Sequence, residues 1–574
     1  MWNQIDTNLQ GWLNQDWDEN SWSTFQPYFD ELTAHPITRD SVDSWMTKWS
    51  QIDDALDEVY SRLHVANTRN TADEQVEKRF LSFVQNIVPK AMAVSQTLRE
   101  QLVASGFTPS HFEIPLRNMR AAMELFTEKN LPLVSEEQKL RNIYSKITGK
   151  QAVEWDGQEK TMQQMEVLQK DPDRSVREAA WRAAMNRQLL DREAINANWV
   201  DLMNLRQNVA ANAGFEDYRA YAWKQRLRFD YTPEDSLKFH QAIEDVVVPA
   251  AQKIYETRRQ ALGIESVRPW DLKVDLQGEP SQAPFNDGTD LLHKSANIFD
   301  KLDPQLGAYF HTMVNEDLLD VENRKNKRVG GYCTGFPVSK RPFIFMNAVG
   351  LTSDIRTLLH EAGHAFHGFE KFKLPYNEQR VTTAEFAEVA SMAMELLTMP
   401  YWGQEHGGFF TPADNINAQI DQLERIILFW PYMAVVDAFQ HWVYTHIDEA
   451  KDSAQCDAVW SGLWDRFMKG EDWSGFDEAK MTGWHRKQHI HIYPYYYIEY
   501  GMAQLGAVQI WANVRQNPQV ALDQYKASLA LGGTKALPQL FEASGAQFVF
   551  DHSTLGSAVD LIMRVREELI ETHR

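Results

Sequence analysis

Cysteine is nearly missing from this chain of 574 residues: only Cys333 and Cys456 occur, far apart in sequence. Two distant thiols exclude a disulfide framework and point to a reducing cytoplasm. Basic residues are also scarce, 58 Lys plus Arg against 80 Asp plus Glu, leaving a net charge of −22. Such a surface repels phosphate backbones and anionic lipid, so neither nucleic acid nor a membrane is expected as a partner. The opening residues, MWNQIDTNLQGWLNQDWDEN, carry no basic region and no continuous apolar run, which argues against a secretory signal. No later stretch is expected to reach the roughly twenty apolar residues that span a bilayer. Fixed-period repeats and low-complexity tracts are missing as well, and solenoid architectures are excluded with them.

What the chain does have is core-forming material, 43% hydrophobic and 12% aromatic residues, enough for a large interior in two helical lobes. Apolar residues recur at helical spacing over 72–104, 135–147, 175–213, 233–262 and 415–447. Strand-like pieces are few and cluster at 268–274 and 329–347, while 277–288 reads as a loop. The expected fold is mainly α with a small sheet beside one functional helix.

That helix carries His360-Glu361-Ala362-Gly363-His364. Thr352-Ser353-Asp354 offers an N-cap and a first-turn acid, and Ile355, Leu358, Leu359, Ala362 and Phe366 form an apolar stripe, so the pentapeptide sits mid-helix. Imidazoles at i and i+4 project from one face about 6 Å apart, which suits two ligands of a tetrahedral Zn²⁺ and suits oxygen-seeking Mg²⁺ or Ca²⁺ poorly. Glu361, next to the first ligand, is placed to take a proton from water as general base.

A hydrolytic zinc needs a third protein ligand, and residues 382–397, TTAEFAEVASMAMELL, supply acids on an otherwise apolar helical face. Glu388 lies 24 residues after His364 (388 − 364), room for a loop broken by Pro375 and a returning helix. Glu385 and Glu395 share its face and are alternative ligands, or partners for a ligand's second ring nitrogen. A di-iron bundle would want a second Glu-x-x-His on another helix, and only His364 has Glu three residues before it. Between 328 and 347, the Phe343-Ile344-Phe345 core with Pro342 before it reads as an edge strand on which an extended peptide can pair, or else as a structural hairpin beneath the active-site helix.

Taken together, GGYCTGFPVSKRPFIFMNAVGLTSDIRTLLHEAGHAFH from Gly330, the following AEFAEVASM and the late HIHIYPYYYIEYGMAQLGAVQIW resemble the oligoendopeptidase F branch of the thimet oligopeptidase superfamily of zinc metallopeptidases. DPDRSVREAAWRA, NLRQNVAANAGFEDYRAYAW and RPWDLKVD extend the likeness over roughly Val153 to Leu505, and the first hundred residues match only loosely. The resemblance implies a two-lobed helical peptidase with a deep channel, an N-terminal helical region over 1–190 and a catalytic region over 191–574. It implies one Zn²⁺ held by His360, His364 and Glu388, water activated by Glu361, and short peptides cut at internal bonds. It also assigns His489, Tyr497 and Tyr500 to the oxyanion; the glycine pair that precedes these tyrosines in the thimet branch is missing, so a shift of one residue would bring in Tyr496 instead. The competing readings are a zinc carboxypeptidase, which needs a cation for the substrate's terminal carboxylate, and a catalytically silent peptide-binding protein.

Overall fold

The computed structural model describes residues 9–18, 20–276, 283–328 and 330–573; residues 1–8 and 19 of the opening segment, 277–282 of the expected loop and Val329 lie outside the described residues. The fold is mainly α. Two compact units are each assembled from three separate chain segments, and both draw on residues before and after position 190. The first unit comprises Met1–Glu124, Gln282–Asn415 and Gly506–Phe548; the second comprises Leu125–Ser281, Ile416–Leu505 and Val549–Arg574.

Helical periodicity in the sequence runs through places where the backbone turns. The 72–104 pattern is two helices, Glu74–Asn86 and Val88–Ser105, because Pro89 cannot donate a backbone hydrogen bond and starts a new helix at its first turn. The 175–213 pattern likewise splits into Arg174–Leu189 and Arg192–Asn212. Residues 268–274 form no strand: Pro269–Asp271 is a 3₁₀ turn whose Asp271 carboxylate accepts from Arg174 at 2.9 and 2.8 Å and from Arg177 at 3.2 Å. The helix Pro412–Thr445 is long and apolar enough to cross a membrane by length and composition, contrary to the reading that no stretch would be. However, 72% of its apolar window is buried inside the protein, as expected of a core helix.

Five strands occur among the described residues. In the second unit β1 (Ala152–Trp155) and β2 (Gln158–Thr161) pair as a hairpin. In the first unit β3 (Leu319–Glu322), β4 (Tyr332–Phe336) and β5 (Arg341–Ala348) form a sheet in the order β3-β5-β4. The edge-strand expectation is therefore corrected: Phe343-Ile344-Phe345 lies in the central strand, parallel to β3 and antiparallel to β4, so the segment is the alternative hairpin against the motif helix and the edges are β3 and β4. Pro342 is tolerated because it sits at the start of β5.

The sheet is held between two helical layers of the same unit. On one side the 28-residue helix Val42–Arg69 anchors a tryptophan-rich core, with Trp45 and Trp49 packed edge to face at 5.3 Å among Phe25, Phe29, Phe83 and Leu98. Its last turn meets β4, where the Thr68 and Tyr332 hydroxyls lie 2.6 Å apart. On the other side β5 lies along the motif helix, Thr352–Lys371.

Candidate metal centre

The motif helix starts where an acid, not a hydroxyl, caps it. Asp354 Oδ2 accepts from the backbone N–H groups of Val349, Gly350 and Leu351 at 2.8, 3.0 and 2.9 Å, so it replaces the expected Thr352-Ser353 cap. The stripe Ile355, Leu358, Leu359, Ala362 and Phe366 is buried as expected, which turns His360 and His364 away from the core. The chain reverses through Asn377–Arg380 and returns as Ala384–Thr398, packed along the motif helix.

Gly363, inside the pentapeptide, sets how close the two helices come. A Cβ there would stand 2.6 Å from the Ala390 carbonyl oxygen and 2.6 Å from Ser391 Cα, both backbone atoms of the return helix. Only a residue without a side chain permits this approach, and the approach carries Glu388 up to the two imidazoles. Gly363→Ala is expected to destabilise the protein by about 1–3 kcal/mol through overpacking, and to weaken metal binding although it removes no ligand. Thermal melts and metal titration check this; an unchanged metal affinity would show that the spacing does not matter.

Among the described residues, His360, His364 and Glu388 form the one group of three potential ligands whose donor atoms all lie within 4.8 Å of one another. Glu388 Oε2 is 3.4 Å from His360 Nε2 and 3.7 Å from His364 Nε2. Bonds of about 2.0–2.2 Å at tetrahedral angles put neighbouring ligand atoms about 3.4 Å apart, so the three residues fit a tetrahedral metal with a fourth position left open. The acids the sequence left undecided separate here. Glu395 Oε1 lies 2.8 Å from His360 Nδ1, behind the ring, where it orients the imidazole and fixes which nitrogen faces the metal. Glu385 is buried but does not join the group.

The electrostatics of the group suit a cation. Burial opposes a charge on His360, but the flanking Glu388 and Glu395 carboxylates outweigh it and raise its pKa well above the ordinary value. His364 is lowered to about 4, chiefly by burial, and is therefore neutral as a ligand must be. Glu361 is 8% exposed, and its Oε2 has no hydrogen-bond partner among the described residues. Burial raises its carboxyl to about 7, with His360 opposing and Glu388 and Glu395 reinforcing. A buried carboxylate oxygen without a partner is costly, and it stands beside the ligands, poised for a proton. Gly331 on the sheet side lies close by: a Cβ there would be 3.7 Å from Glu361 Oε1.

His489, Tyr496, Tyr497 and Tyr500 belong to the second unit, in and after the short helix Gln488–Ile492 and at the start of Tyr497–Gln516. His489 sits amid the tyrosines, its ring centroid 5.1 Å from Tyr497, 5.9 Å from Tyr500 and 6.2 Å from Tyr496. Tyr496 and Tyr500 are half-exposed and meet edge to face at 5.1 Å, whereas Tyr497 is 6% exposed. Tyr495 is fully buried with φ at +63°, a left-handed kink that turns the chain into the helix. His491 is a core residue: it stacks on Tyr144 at 4.1 Å, and burial lowers it to about 3.

Residues 167–555 match Peptidase family M3. An oligoendopeptidase F homolog of Borreliella burgdorferi is 24% identical over 302 residues, covering 50% of this chain and 48% of that protein. The chromosomal oligoendopeptidase F of Lactococcus lactis subsp. cremoris is 25% identical over 221 residues, covering 36% of this chain and 34% of that protein. The chain thus spans half or less of the length of these relatives. Among solved structures, PZ peptidase A with an inhibitor superposes with a TM-score of 0.88 and 26% identity, covering 96% of this chain and 98% of that one.

Proposed function

The chain belongs to peptidase family M3, and from that premise we propose that it is a zinc-dependent oligopeptidase that hydrolyses internal bonds of short peptides. The observation that carries the reading is the spacing of His360, His364 and Glu388 at tetrahedral edge lengths beside the partnerless buried oxygen of Glu361. When bound, the zinc supplies a Lewis acid that polarises the scissile carbonyl and acidifies water. Glu361 Oε2 takes the proton from the attacking water and hands it to the leaving amine. Glu395 keeps the His360 imidazole in the ligand tautomer.

For the oxyanion the proposal rests on the half-exposed donors of the C-terminal cluster, His489 and Tyr500, with the equally half-exposed Tyr496 as the donor a one-residue shift of register would bring in. Tyr497 is more deeply buried than these, and its hydroxyl oxygen accepts from Lys487 Nζ at 2.8 Å. Tyr500→Phe removes one hydroxyl with little loss of packing, so kcat is expected to fall roughly 10²-fold with KM and metal content nearly unchanged. If instead Phe is silent and Ala alone is harmful, the hydroxyl does not act on the reaction. Tyr496→Phe serves as the register control: a kcat loss there as well would make Tyr496 a donor, and normal turnover would leave Tyr500 as the tyrosine that acts. The cytoplasmic assignment is part of the same proposal and is in keeping with two free thiols.

Metal analysis of the purified protein, combined with mass spectrometry of a mixed peptide library after incubation, tests the whole reading. Zinc with internal cuts supports it; trimming from one end favours a carboxypeptidase; zinc without cuts favours a binding protein.

A further inference from the structure

The second unit contains a lysine that has no countercharge among the described residues. Lys487 joins the 3₁₀ turn Gly483–Arg486 to the short helix Gln488–Ile492 and is half-buried. Its Nζ donates to the Tyr497 hydroxyl at 2.8 Å and lies 4.0 Å from the Tyr497 ring centroid and 5.3 Å from that of Tyr432. No Asp or Glu among the described residues pairs with it.

Several inward-pointing arginines of this unit are matched by acids, whereas the neighbouring Arg486 donates to the Thr482 hydroxyl and the Ala479 carbonyl. Arg226 and Arg228 share Glu499 at 3.1 and 2.8 Å, Arg206 meets Glu137 at 3.1 Å, and Arg192 meets Asp457. In a chain with 22 more acids than bases (80 − 58), the lack of a partner for Lys487 is not a shortage of acids. Burying an ammonium without one is unfavourable, and desolvation lowers Lys487 to about 8. The two ring faces offset part of that cost.

The donors that remain define what would complete the site. An ammonium has three N–H groups, and the described residues use one. The Tyr497 oxygen accepts that hydrogen bond, so its own O–H is still available, and burial keeps the phenol protonated. Two donors therefore stand side by side, one charged and one neutral, in a partly desolvated setting with no acid. Their complement is a carboxylate, each oxygen taking one donor.

We infer that Lys487 and Tyr497 form a clamp for a carboxylate of the peptide substrate, an inference that rests on the peptidase reading. Tyr497 is centred 5.7 Å from Tyr500 and 5.1 Å from His489, the proposed oxyanion donors. An extended chain advances about 3.3–3.6 Å per residue, so the clamped carboxylate lies about two residues from the bond that is cut. It is either the free C-terminus of a short leaving fragment or an acidic side chain at that distance. Tyr497 is thus a specificity residue, distinct from the oxyanion donors beside it.

The test measures binding to the Glu361→Gln protein, in which peptides stay intact. One probe is a library-derived peptide without Asp or Glu, offered as the free acid and as the C-terminal amide; the second is an amidated peptide carrying Glu, offered against its Gln counterpart. A charge-assisted pair predicts that the form with the carboxylate binds about 10- to 100-fold more tightly. Loss of affinity on amidation identifies the terminus, and loss on Glu→Gln identifies the side chain. Introducing Lys487→Met should bring the affected ratio close to one, and Tyr497→Phe in the otherwise parental enzyme should raise KM more than it lowers kcat. Equal affinity for all four forms overturns the clamp and leaves the peptidase reading standing; that comparison does not depend on any Lys487 variant folding. Failure of every form to bind, with no cuts by the parental protein, overturns both.

Discussion

Glu361→Gln is expected to lower turnover by roughly 10²- to 10⁴-fold while metal content and peptide affinity stay near those of the parental protein. Gln keeps the shape of the side chain but offers no basic oxygen. The side chain is 8% exposed, its Oε2 is unpartnered, and it is not one of the three potential ligands. Removal of the base should therefore leave the ligand set and the fold intact. Single-turnover kinetics with metal analysis on the same preparation separate the possibilities: turnover close to the parental rate would sink the general-base assignment, and loss of metal would make Glu361 a ligand.

The second large effect falls on the ligands. His360→Ala, His364→Ala and Glu388→Ala are each expected to weaken metal binding by more than about 100-fold, with activity lost in parallel. Glu395→Gln should be milder, about 10- to 100-fold in metal affinity, because Glu395 touches the metal site only through His360 Nδ1. Metal titration across the four variants orders them. Full metal retention in Glu388→Ala would transfer the third position to Glu385 or Glu395.

The parts of this site that were legible in the sequence are those that a single helix encodes. His360, Glu361 and His364 lie within one turn and a half of the motif helix, so spacing alone sets their relation. Glu388 was the favoured third ligand, by its spacing and by the family resemblance, but Glu385 and Glu395 on the same face stayed open, since the choice depends on how the return helix is rotated. That rotation follows from the backbone contact at Gly363, which no periodicity shows. The edge-strand expectation failed for a related reason. Strand order is a long-range property, and β3, the four residues LDVE, is too short and too polar to be recognised as the second neighbour of β5. The split of 72–104 was missed because apolar spacing continues across Ile87 while the helix axis does not. Lys487 gave no signal at all: a lysine becomes informative only once its partners, and the lack of an acid among them, are known.

The three-segment construction of the first unit has a consequence for biosynthesis. The motif and return helices are complete at Thr398, but their cover comes from Gly506–Phe548. Tyr525 donates to the Ala390 carbonyl at 2.7 Å, Phe541 packs on Phe386 at 6.0 Å, and Gly506 lies against Val389. The last of these residues leaves the ribosome up to 150 residues (548 − 398) after the return helix. At about 5–20 residues per second the delay is roughly 8–30 s, during which every ligand has been made while the apolar back of the helix pair remains bare. A nascent chain arrested before Gly506 should therefore bind chaperones and hold metal weakly, although it already contains the whole ligand set.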